Sequence, residues 1–208
     1  MPRAAVAVRL AQREDLPAIL CLWDEMREQS RARTAGRTPE QQRAAAEERY
    51  VVSMAHPDGR VVVAVDDSDG GVVGMAVLAL GPLSGIVDTL TVVVSQMHVA
   101  SAARHRGAGR ALLAAAASFA EERGAEAVSV GVSPAARDSQ RFYARLGFAP
   151  LVIRRAAPVA VLRRRLGTDA VPPPMPGVGE AVHTASRRGL RARAVTARAV
   201  ANARRRSA

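Results

Sequence analysis

The stretch that decides the reading is Val92-Val-Val-Ser-Gln-Met-His-Val99, then Ala100-Ser-Ala-Ala103, then Arg104-His-Arg-Gly-Ala-Gly109-Arg-Ala-Leu-Leu113. Its first part is β-branched and apolar, as a strand requires. Its last part continues to Arg123 with Leu112, Leu113, Ala116, Phe119 and Ala120 at helical spacing, and Gly124 ends the helix. Between them lies a glycine-rich turn. The first N–H groups of a helix lack internal partners, so the turn offers free donors and a positive dipole end to a phosphate or pyrophosphate. Gly107 and Gly109 leave room for close approach, and Arg104, Arg106 and Arg110 add charge. No Gly-Lys-Ser/Thr follows, so this is not a Walker loop; the third glycine of a dinucleotide fingerprint is also missing. Alone, the turn is equally consistent with a tight strand-to-helix connection.

Working outward, Val6–Leu10 reads as a strand. Asp15 and Pro17 open a helix whose Leu16, Ile19, Leu20, Trp23 and Met26 form one apolar stripe. Cys21 and Trp23 read as packing residues. Pro39 opens a second helix, through about Met54. Arg60–Asp66 and Val72–Leu80 read as strands joined by the hairpin turn Asp67-Ser-Asp-Gly-Gly71, and Thr89–Val99 as the next strand. Beyond the central helix, Ala127–Val132 is a strand and Pro134–Leu146 a helix closed by Gly147. Leu151–Arg155 and Val159–Arg164 are expected as two final strands. The order is β-α-α-β-β-β-α-β-α-β-β, an α/β fold on a mixed sheet.

The chain has 208 residues, suited to one domain plus a tail. Hydrophobic residues make up 49%, enough for a core, and aromatics only 3%, so that core is built from Ala, Val and Leu. All 30 basic residues are Arg, and the net charge is +11. Residues 1–150 hold 17 Arg and 17 acids, while residues 151–208 hold 13 Arg against Asp169 and Glu180. The basic character therefore belongs to the end of the chain and says nothing about the partners of the rest. One Cys excludes a disulfide framework and a Cys-based zinc site within one chain. The His residues, among them His56 in a turn and His183 in the tail, give no support to a metal site. The first ten residues are too poor in apolar side chains for a secretory signal, and no apolar run is long and uninterrupted enough for a membrane span. The expected location is cytoplasmic.

Some 35 residues after the turn stands Phe142-Tyr143-Ala-Arg-Leu-Gly147-Phe148, at the end of the next helix. With Arg13-Glu-Asp-Leu-Pro-Ala-Ile19 and the R-x-x-G-x-G turn at 104–109, this order of motifs resembles the GNAT superfamily of acetyl-CoA-dependent N-acetyltransferases, over about residues 4–166. The resemblance implies a mostly antiparallel central sheet of about seven strands, flanked by about four helices. Beyond Gly167 the composition shifts, which divides the chain into a domain at 1–167 and, at 168–208, a Pro-rich linker with an Arg/Ala-rich tail expected to be flexible. The resemblance implies acetyl-CoA as co-substrate and no metal. The pyrophosphate would rest on backbone N–H groups of His105, Arg106, Gly107, Ala108, Gly109 and Arg110, beside Arg104. The pantetheine arm would pair like a strand with Met97, His98 and Val99. The thioester would lie where the two central strands splay, with backbone donors near Val99 polarising its carbonyl. Tyr143 would protonate the leaving thiolate as a neutral amine attacks.

Two departures stand out. Many members of that superfamily carry Asn seven residues before the tyrosine, and here the position is Ala136. Where some branches carry a Glu or His base, this chain has Val93 and Ser95. His98, Asp88 and a water chain remain as routes for the proton, although strict alternation points His98 away from the face of 93, 95 and 97. Arg31, Arg33 and Arg37 would suit an anionic acceptor, and Asp24, Glu25 and Glu28 a cationic one, so the amine stays open between small molecule and peptide. A homodimer through the last strands is common in the superfamily. The alternative reading is a catalytically silent acyl-CoA-binding module. The tail, with eight Arg and two acids, would then contact nucleic acid or an anionic membrane.

Overall fold

The computed structural model describes residues 6–30, 38–83, 89–153 and 155–167. The chain divides into two units, Met1–Val152 and Ile153–Ala208. The first unit carries β1 (Val6–Leu10), α1 (Leu16–Ser30), α2 (Pro39–Ala55), β2 (Gly59–Asp66), β3 (Val72–Pro82), β4 (Leu90–Val99), α3 (Ala108–Arg123), β5 (Ala127–Val130) and α4 (Arg137–Ala144). The strands form one sheet in sequence order, antiparallel from β1 to β4, with β5 parallel to β4.

The valine-rich runs of β2 and β3 are continuous because both faces of the sheet are covered. Val62, Ala64, Ala76 and Leu78 pack towards Leu112, Ala116 and Phe119 of α3. Val61, Val63, Met75 and Val77 face Leu16, Ile19, Leu20 and Trp23 of α1 and Ala46 and Tyr50 of α2. Each of the first two helices starts at a reciprocal cap. Before α1, the Gln12 N–H donates to the Asp15 carboxylate over 2.7 Å, and Arg9 grips the same carboxylate at 2.6 and 2.8 Å. Before α2, Thr38 and Gln41 exchange bonds of 3.1 and 3.3 Å, with Pro39 at the first position, where no N–H is needed.

One irregularity matters for the site. Val77 pairs with Gln96 but Leu78 with Val94, so Ser95 is an extra residue in β4. A bulge of this kind inverts the facing of everything after it. Val92 and Val94 face α3, and beyond the bulge so do Met97 and Val99. Gln96 and His98 are turned to the side of α1 and α2.

The second unit holds α5 (Val159–Leu166), closed by Gly167. This corrects the expected sheet of about seven strands and four helices. The described residues form five strands and five α-helices, with 151–153 outside any ladder. Val159, Leu162 and Leu166 recur at i, i+3 and i+7, and Arg163–Arg165 are good helix formers, so the helical period prevails over the short apolar run. Residues 168–208, with the proposed linker and tail, lie outside the described residues, as do Arg31, Arg33, Arg37 and Asp88. Among the described residues no helix is long and apolar enough to cross a membrane.

Candidate active site

β5 stops at Val130, opposite Val94, while β4 runs on to Val99. From Ser95 to Val99, β4 therefore has β3 on one side and no ladder on the other. That unpaired edge leads into the turn. His105 at φ 64° and Gly107 at φ 98° are both left-handed, and together they swing the intervening amides to one side. Among the described residues, no carbonyl accepts from the N–H groups of His105, Arg106 or Gly107. The first amides of α3 are free by helix geometry. A Cβ at Gly107 would meet open space, so the positive φ, rather than crowding, demands glycine there. Gly109 is different: a Cβ there would stand 3.2 Å from the Phe142 ring. Its missing side chain lets α4 lie against the first turn of α3.

The edge, the turn and α4 enclose a cleft of about 1010 Å³. All the residues expected to hold a coenzyme line it: Met97, His98, Val99, Arg104, His105, Arg106, Gly107, Ala108, Gly109 and Arg110. Tyr143 lines it too. Free amides, a dipole and several guanidinium groups are the donor set of a phosphate ester site, and an open edge with apolar flanks suits an extended amide-bearing arm. The residues present thus fit the coenzyme.

Tyr143 is 8% exposed and stacks edge-on between Phe142 and Phe148, at 5.1 and 5.4 Å between centroids. Its hydroxyl lies 4.0 Å from the Met97 sulfur. Burial pushes its phenol up to about 12, so it stays protonated at neutral pH.

His98 is 8% exposed, and burial pushes its imidazole below the usual range against the opposing pull of Glu25. Its buried Nε2 is 3.4 Å from a Glu25 oxygen, without hydrogen-bond geometry. The other Glu25 oxygen accepts from the Ser101 N–H at 2.9 Å and from the Ser101 hydroxyl, which hold the carboxyl below its ordinary range. Gln29 extends this network, donating to Glu25 and Ser101 and accepting from Arg104 at 2.6 Å. Asp24 is bound by Arg43. The acids read as possible amine attractors are thus engaged within the fold at 24 and 25.

Sequence reasoning touched the second wall of the cleft only at Ala136, the position of the missing Asn. Ala135–Ser139, Phe142 and Arg145 line it from the α4 side, and Gln29 from α1. Phe142 and Arg145 sat inside a motif read only for its tyrosine, and Gln29 has no local signal. Tyr50, whose hydroxyl donates to Gln96 at 2.6 Å, was read only as part of a helix. Cys21, expected to pack, is exposed.

A family model described as acetyltransferase (GNAT) matches residues 22–148. No curated protein matches the chain significantly. Among solved structures, a tetramutant of the BH1408 protein from Bacillus halodurans is 22% identical with a TM-score of 0.63. A ribosomal-protein-alanine N-acetyltransferase from Brucella melitensis and AAC(6')-Iy in complex with a CoA-containing bisubstrate analogue are each 18% identical with a TM-score of 0.57. Each alignment covers 74% of this chain and 99% of the other. At these identities the likeness is one of fold.

Proposed function

The chain belongs to the acetyltransferase (GNAT) family, and from that premise we propose that it moves an acetyl group from acetyl-CoA to a primary amine within a ternary complex. The observation that carries this reading is the open edge of β4 at Ser95–Val99, running into a left-handed turn of free amides with Tyr143 buried beside Met97.

Bound acetyl-CoA supplies the thioester carbonyl that the amine attacks and the thiolate that leaves. The turn at 105–110 binds the pyrophosphate through its amides. The edge of Met97–Val99 pairs with the pantetheine arm and fixes the depth of the thioester. Backbone donors near Val99 polarise the carbonyl oxygen. Tyr143 holds its proton at the hydroxyl until the thiolate forms, then donates it. Val93 and Ser95 cannot take the proton of the incoming ammonium, and the buried His98 Nε2 is turned towards Glu25. A water chain and Asp88, which lies outside the described residues, are the routes left for that proton. Holding amine and thioester together contributes up to about 7–11 kcal/mol of barrier reduction. The neighbour crystallised with a CoA-containing bisubstrate analogue supports the same division of the site into coenzyme and amine halves.

A second reading, a silent acyl-CoA-binding module, is favoured by Ala136 and by the absence of a base at 93 and 95. One experiment separates the two. Calorimetry with acetyl-CoA is run on the wild type and on the Gly107→Glu, Gly109→Glu double variant, followed by thiol release over an amine panel. Binding lost in the variant, with thiol release in the wild type, supports the transferase. Binding without release for any amine supports the silent module, and no binding by folded wild type overturns both.

A further inference from the structure

Helix α5 (Val159–Leu166) differs from the helices before it. Each of α1 to α4 buries side chains, and α5 buries none. Its Val159, Leu162 and Leu166 are 66%, 48% and 66% exposed. At about 100° per residue these three fall within about 60° of arc. Arg163 flanks that arc on one side and Arg165 on the other, while Arg164 lies opposite. Val161, the one half-buried residue of α5, is also on the far side, so the apolar arc is not the packed face.

The charge around the arc has one sign. From Leu151 to Gly167 the sequence holds five Arg and no acid, and residues 168–208 add eight Arg against two acids. The side chains of Arg163, Arg164 and Arg165 pair with no described residue. A partner must take an aliphatic stripe and answer a cationic rim at once. A nucleic acid answers the arginines but has no use for the stripe, and 151–167 offers no aromatic ring for base stacking. A second copy of α5 would set one cationic rim against another. An anionic phospholipid surface satisfies both demands: acyl chains receive the stripe, and headgroup phosphates receive guanidinium groups that snorkel from its flanks. An eight-residue helix is marginal alone in water, and a surface that takes its apolar side also stabilises it.

We propose that α5 lies in the interfacial plane of an anionic phospholipid membrane, with Val159, Leu162 and Leu166 among the acyl chains and Arg163 and Arg165 at the headgroup phosphates. The short apolar arc is one attachment signal and the arginines are the second, and attachment needs both. The inference goes beyond the acetyl-transfer reading and does not depend on it.

The test is co-sedimentation of the full chain with vesicles of phosphatidylcholine alone and of phosphatidylcholine with about a quarter phosphatidylglycerol, at low and physiological salt. The wild type is expected to bind the mixed vesicles at least tenfold more tightly, less so as salt rises but still at physiological salt. Leu162→Ser, Leu166→Ser keeps every charge and should bind them at least fivefold more weakly. Arg163→Gln, Arg165→Gln keeps the arc and should narrow the preference for the anionic vesicles. Leu162→Trp should show blue-shifted emission on the mixed vesicles and quenching by brominated acyl chains. All of these side chains are exposed, so the variants should melt with the wild type. Equal affinity of the wild type for the two vesicles, or sedimentation with neither, overturns the proposal without any variant. Equal binding by the wild type and the serine variant also overturns it, because charge alone then accounts for attachment. Binding to duplex DNA that the serine variant retains, with no binding to vesicles, assigns the arginines to nucleic acid and overturns it as well.

Discussion

The Tyr143 hydroxyl lies 4.0 Å from the sulfur of Met97, which joins the motif at the end of α4 to the open edge of β4. The ring is held by two edge-on aromatic neighbours, so removing the oxygen leaves its packing in place. Tyr143→Phe is therefore expected to keep the melting temperature and the affinity for acetyl-CoA. Its kcat should drop by about 10²–10⁴, the usual worth of a positioned proton donor. Steady-state kinetics beside calorimetry check this, and an unchanged kcat removes Tyr143 from the chemistry.

Gly107 and Gly109 should fail in different ways. Gly107→Ala forces a side chain into the left-handed region and should cost about 1–2 kcal/mol of stability. It should also weaken coenzyme binding, because the amides of the turn lose their aim. Gly109→Ala pushes on the Phe142 ring and, through it, on Tyr143. It should lower kcat more than it weakens binding. Denaturant melts with both kinetic constants separate the two patterns.

His98 should make the protein acid-sensitive. Burial lowers its folded pKa below the ordinary 6.5, so the unfolded chain binds the proton more readily. The stability linked to it is complete above pH 6.5 and is lost as pH falls through the folded value. Melting temperatures from pH 7.5 downward should decline more steeply in the wild type than in His98→Gln. Parallel curves would show that His98 does not titrate on unfolding.

Asp15 should act at lower pH. Its pKa is held below 3.8 first by the Arg9 side chain, against burial, and then by the Gln12 amide. Its contribution is present above 3.8 and is lost as pH falls through the lowered value. Asp15→Asn should lower the melting temperature by about 2–6 °C at pH 7. The cost of the substitution should shrink as pH falls through that lowered value, because the carboxyl then becomes neutral like the amide.

Sequence alone determined the features that are local in the chain. The strand-to-helix switch at Val99–Ala108, the capped starts of α1 and α2 and the left-handed Gly124 and Gly147 follow from period and turn chemistry within a few residues. The resemblance carried by the ordered motifs, rather than period or turn chemistry, singled out Met97–Val99, Arg104–Arg110 and Tyr143, all of which line the cleft. Tertiary structure alone decided what depends on pairing between distant segments. The extra residue at Ser95 exists only because β3 fixes the register of β4, and it turns His98 away from the side that alternation assigns it. The opening at 95–99 exists because β5 ends at Val130, and the α4 wall meets α3 because Phe142 fills the space left by Gly109. Residues 159–166 read as a strand on apolar content and form a helix, since a short apolar run does not carry its own period unambiguously. A side chain's neighbours along the chain fix its backbone preference. Its partners across the sheet fix which face, and hence which chemistry, it serves.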